Sequence, residues 1–76
     1  KMSEAKILLN EIGRDDISDD SSNLLDCGLI DSVDIISLVA AMAARYGKDL
    51  DAKFLSAENF QSIAALDKMI KEAYGV

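Results

Sequence analysis

Gly28-Leu29-Ile30-Asp31-Ser32-Val33-Asp34 is the stretch whose reading decides the fold. A glycine turn and two aliphatic residues lead into Asp-Ser, and an apolar pattern of helical spacing follows at once. Asp31 or Ser32 is placed to cap a helix there, with Asp34 in the first turn, where the helix dipole favours negative charge. Ile35, Leu38, Val39, Met42 and Tyr46 recur at helical spacing and predict a core-facing helix from about Ser32 to Tyr46, stopped by Gly47. A second apolar line, Val33, Ile36 and Ala40 continuing to Ala44, exceeds what one bundle-facing stripe needs. Part of it is expected at the surface beside Ser32 as a partner site, unless the preceding loop covers the helix on that side.

Upstream, residues 14–30 read as a long connection. Asp15, Asp16, Asp19 and Asp20 with Ser18, Ser21 and Ser22 form a loop rich in side-chain-to-backbone turns. The set fails as a calcium loop, because alternate oxygen ligands are not kept at the required spacing and no glycine stands at the sixth position. Leu24, Leu25, Leu29 and Ile30 are expected to pin this loop to the bundle. Cys27, between Asp26 and Gly28, is expected to be a small packing residue, since its acidic neighbours disfavour a thiolate. Seven aspartates and no Lys or Arg lie between Asp15 and Asp34, either a solvated loop or a docking surface for a basic enzyme.

Before the loop, Ser3 is placed to cap a first helix whose Ala5, Leu8, Leu9 and Ile12 share one face, with Gly13 as its stop. After Gly47, Ala52-Lys53-Phe54-Leu55 and Ser56-Ala57-Glu58-Asn59-Phe60 each read as a single turn. Asn59 or Ser62 then caps a last helix carrying Ile63, Leu66, Ile70 and Tyr74. The expected fold is all-α, one domain over residues 1–76, with three main helices and a short one around a long loop between helices 1 and 2. Lys1 ahead of Met2 reads as an addition before the native start.

Composition narrows function further. Seventy-six residues, 50% apolar and 29% charged, suit one small soluble core. The chain has no histidine, which removes the usual general base, the partner of a nucleophilic serine and the commonest metal ligand. With one cysteine and no Gly-x-Ser-x-Gly elbow, neither an internal disulfide, a thiolate zinc site nor a catalytic serine is available. An enzyme is not expected, nor a metal. A net charge of −6 argues against nucleic acid and for a basic protein partner. The longest nearly apolar run, 35–44, is broken by Ser37 and far short of a bilayer span. No signal peptide is visible, so a cytoplasmic monomer is expected.

A serine at a helix start is ordinarily just a cap. Here, however, Leu25-Asp26-Cys27-Gly28-Leu29-Ile30-Asp31-Ser32-Val33 resembles the attachment motif of the acyl, peptidyl and aminoacyl carrier proteins: a leucine, a spaced glycine, then Asp-Ser and an aliphatic residue. The similarity extends into the last helix. It implies an acyl-carrier-protein-like bundle, a 4′-phosphopantetheine covalently attached to Ser32, Asp31 as its acidic partner, and Val33 and Ile36, with Ala40, on the docking face. It also implies three kinds of partner: a phosphopantetheinyl transferase, an adenylating ligase or acyltransferase that loads the arm, and a downstream acyl-accepting enzyme.

Fatty-acid-synthesis carriers usually show several glutamates along the second helix, whereas this chain has Ser37, Ala40, Ala43, Ala44 and Arg45. The Gly-Leu-Ile-Asp-Ser run and Glu58-Asn59-Phe60-Gln61-Ser62-Ile63 look more like stand-alone carriers loaded by adenylating ligases. An acyl carrier of a fatty-acid, specialised lipid or polyketide pathway is the second reading. An unmodified domain docking a partner helix through Val33, Ile36 and Ala40 is the alternative from another class.

Overall fold

The structure is a computed structural model that describes residues 3–18 and 21–76. Lys1 and Met2, with the proposed native start, and Asp19 and Asp20 of the aspartate-rich loop lie outside the described residues. Three helices carry the fold: α1 (Glu4–Glu11), α2 (Ser32–Tyr46) and α3 (Ile63–Tyr74). Two 3₁₀ turns, Ala52–Phe54 and Ala57–Phe60, connect α2 to α3. No strand occurs among the described residues, so the all-α expectation holds.

Each helix begins where a short polar side chain can take up otherwise unpaired N–H groups. Ser3 Oγ accepts from Lys6 N at 3.1 Å, and Asp67 of α3 reaches across to accept from Ala5 N at 2.9 Å. Asp31 rather than Ser32 caps α2, and Ser62 rather than Asn59 caps α3 by accepting from Ala65 N at 3.0 Å. Asn59 instead donates to the Phe54 carbonyl at 2.9 Å. Gly47 and Gly75 end α2 and α3 with φ of 77° and 73°, a left-handed conformation costly for any residue with a Cβ.

The core joins Ala5, Leu8 and Leu9 of α1 to Leu38 and Met42 of α2 and to Ile63, Leu66, Met69 and Ile70 of α3. Helix α1 packs against both α2 and α3, and the second 3₁₀ turn packs against α3. Ile12, Ile35, Val39, Tyr46 and Tyr74, expected on core faces, are only partly buried. The loop is pinned, but not by all four expected residues. Leu24 and Ile30 are buried and Leu25 is half-buried, while Leu29 is exposed. Gly28, at φ 81°, turns the chain so that of two adjacent aliphatics only Ile30 faces inward. Ile17, on no periodic stripe, is a further buried anchor, and the Lys6 ammonium holds its carbonyl at 2.5 Å. Cys27 does not pack inside; it is exposed, on the turn that sends Ile30 inward.

Tyr46 and Tyr74 close the far end of the bundle with ring centroids 4.6 Å apart. Tyr46 donates to the Glu4 carboxylate, and Tyr74 donates to the Lys48 carbonyl at 3.1 Å. Burial, and then the Glu4 carboxylate, raise the Tyr46 hydroxyl well above its ordinary range; burial, and then Asp49, raise Tyr74. A raised phenol contributes stability that is fully present below its unfolded value and lost as pH climbs through the folded one. Phenolate absorbance of the folded protein is therefore expected to lag behind that of the urea-unfolded chain, which titrates near about 10. Coincident titration curves would show that the tyrosine pair is not buried as described.

Candidate functional site

The mouth of α2 is built by reciprocal capping. Asp31 Oδ1 accepts from Asp34 N at 3.0 Å, and Asp34 Oδ2 accepts from Asp31 N at 3.1 Å. This capping box spends both carboxylates on the backbone and encloses Ser32 and Val33 between them. Ser32 is the first residue of a 15-residue helix and is exposed. Among the described residues no hydrogen bond engages its hydroxyl, nor the N–H groups of Ser32 and Val33. A helix start that Asp31 already caps leaves that hydroxyl available for chemistry, beside two N–H donors suited to a phosphate oxygen.

The expected apolar line lies open beside the serine. Val33 is 66% and Ile36 68% exposed, and Ala40 and Ala44 are exposed further along α2. The loop therefore does not bury the helix on this side. Leu29 and Leu55 add two more exposed aliphatics. Leu25, Ile35, Leu55, Ala57 and Phe60, with Ser56, line an open and mostly apolar cleft of about 210 Å³ between the first turn of α2 and the 3₁₀ turns.

Two polar residues that sequence periodicity could not single out hold the loop around the site. Gln61 accepts at its carbonyl from Leu24 N at 2.9 Å and at Oε1 from Leu25 N at 3.2 Å, and donates to Asp26 at 3.2 Å. Arg14 stands one position before the aspartate run and supplies the cation the run lacks. Its Nη1 meets Asp34 Oδ2 at 2.6 Å and its Nε meets Asp16 Oδ1 at 3.1 Å, while Nη2 donates to the Leu29 carbonyl. The hydrogen bond to Asp16, and after it that to Asp34, outweigh partial burial and raise the guanidinium above even its ordinary range. The Arg14 hydrogen bond in turn holds the Asp16 carboxyl below the usual carboxylate range.

Arg45, in the last turn of α2, is turned onto α1. Its Nη1 lies 3.0 Å from Glu11 and its Nε 3.4 Å from Glu4. The first turns of α2 thus present aliphatic side chains framed by carboxylates. No group of three potential metal ligands gathers among the described residues, and no helix is long and apolar enough to cross a membrane.

No curated protein and no solved structure gives a significant match to the chain. A protein-family model does match, that of the phosphopantetheine attachment site, over residues 5–66. That span runs from the first turn of α1 into α3 and includes the whole α2 mouth with its free hydroxyl. The chain accordingly belongs to the phosphopantetheine attachment family, the carrier domains that bear a covalent 4′-phosphopantetheine arm.

Proposed function

We propose that Ser32 bears the arm and that the protein presents acyl or aminoacyl groups, held as thioesters, to partner enzymes. One observation carries the assignment: within the matched span, Ser32 offers an exposed hydroxyl at a helix N-terminus that a neighbouring residue already caps. Carrier domains of this kind are generally non-catalytic. When attached, the arm supplies a terminal thiol on a flexible tether, which raises the effective concentration of the cargo at a docked enzyme.

The residues fit the group. Ser32 Oγ becomes the ester oxygen on phosphorus, displacing adenosine 3′,5′-bisphosphate from coenzyme A, with its proton passing to a base of the transferase. The N–H groups of Ser32 and Val33 and the dipole of α2 favour the resulting phosphodiester, while Asp31 and Asp34 oppose it. Val33 and Ile36, with Ala40 farther along, form the face on which a transferase or loading enzyme docks. The acidic frame steers a basic partner towards it.

For the cargo, loading by an adenylating ligase onto a stand-alone carrier is the first reading. It rests on the resemblance of the Gly-Leu-Ile-Asp-Ser and Glu58–Ile63 runs and on an α2 whose outer positions carry no glutamate. The apolar cleft lined by Leu25, Ile35, Leu55 and Phe60 favours the second reading, an acyl carrier with an aliphatic cargo.

The test is the intact mass of the protein after incubation with coenzyme A, magnesium and a broad-specificity phosphopantetheinyl transferase. A gain of one phosphopantetheinyl unit is expected, and panels of amino acids and fatty acids with their ligases then separate the two cargo readings. No gain with several transferases on folded protein would overturn the assignment and leave a docking domain.

A further inference from the structure

We infer that Arg14 is a positioning residue for the modification of Ser32, an inference that rests on Ser32 being the modified residue. Arg14 follows the end of α1, where its N–H donates to the Leu9 carbonyl at 2.8 Å. Its place is therefore set by the buried face of α1, that of Ala5, Leu8 and Leu9. From there the guanidinium bridges the Leu29 carbonyl, three residues before Ser32, and Asp34, two residues after it. The oxygen of Asp34 that it holds, Oδ2, is the one that accepts from Asp31 N and closes the capping box around Ser32. One side chain thus ties both flanks of the attachment turn to the core.

The same contact has an electrostatic consequence. A phosphate approaching Ser32 meets the carboxylates of Asp31 and Asp34, and none of the residues between Asp15 and Asp34 is basic. Arg14 offsets the Asp34 charge at 2.6 Å and leaves Asp31 to cap the helix. Removing Arg14 leaves the carboxylate uncompensated within two residues of the reacting hydroxyl and frees the Leu29 carbonyl. Asp34→Asn removes that charge while its side-chain oxygen can still accept from Asp31 N.

The experiment compares initial rates of phosphopantetheine transfer from coenzyme A to the parent, S32A, R14Q and R14Q/D34N. Carrier concentration is varied, at a temperature where circular dichroism shows every variant folded. R14Q is expected to lower kcat/KM about fivefold, the upper reach of a partly exposed ion pair, and R14Q/D34N to return it to within about twofold of the parent. A purely structural Arg14 would make the double variant no better than R14Q, because Asp34→Asn adds no fold-stabilising contact. With S32A silent, an R14Q rate equal to the parent's, or a double variant as slow as R14Q, overturns the positioning role alone. If S32A is still modified, the Ser32 assignment falls and this inference falls with it.

Discussion

Ser32→Ala is expected to gain no mass from coenzyme A and a phosphopantetheinyl transferase, and to be as stable as the parent to within about 0.5 kcal/mol. The two halves of that expectation have separate physical grounds. Modification needs an oxygen nucleophile at position 32, and alanine has none. Stability is spared because the cap of α2 is Asp31, whose carboxylate takes the Asp34 N–H, and the Ser32 hydroxyl holds nothing. Alanine is also the better helix former. Asp31→Ala is expected to differ in stability. It keeps the hydroxyl but loses the cap, at a cost of about 1 kcal/mol, which for a domain this small lowers the melting midpoint by about 4–8 °C. Were Ser32 an ordinary cap, Ser32→Ala would show that thermal loss, and a thermal scan beside the mass spectrum separates the two.

The helices were legible because their signals are local. Ala5, Leu8 and Leu9 are buried as their spacing requires, and α2 spans Ser32 to Tyr46 with its glycine stop at Gly47. Caps were legible only to within a choice of neighbours. Asp31 and Ser32 carry equally suitable oxygens, and the backbone dihedrals at the junction, extended at Asp31 and helical after it, select the cap. In the long connection no period exists, so inward and outward residues cannot be told apart by pattern. There the positive φ of Gly28 decides that Leu29 and Cys27 face solvent while Ile30 is buried. Arg14 was unreadable for a different reason. Its partners Leu29 and Asp34 lie 15 and 20 residues away, and only the packing of the loop brings them to one guanidinium.

Phe60→Ala is expected to bring the domain close to unfolding, with a loss of about 3–5 kcal/mol. At about 0.05–0.15 kcal/mol per residue, the whole chain commands about 4–11 kcal/mol. Phe60 is 1% exposed and is the largest fully buried side chain among the described residues. It is also the only buried residue of the 3₁₀ turn Ala57–Phe60, so the ring is what that turn contributes to the core. Helix α3 begins three residues later, and Gln61, directly after the ring, holds Leu24 and Leu25 of the connection. A cavity at position 60 therefore loosens the turn, the start of α3 and the loop leading to Ser32 together. Phe60→Leu, which keeps most of the volume, should lose far less. Urea unfolding of the two variants measures the difference through the shift in midpoint. An alanine variant costing under about 1 kcal/mol would mean that the turn collapses onto α3 without its ring.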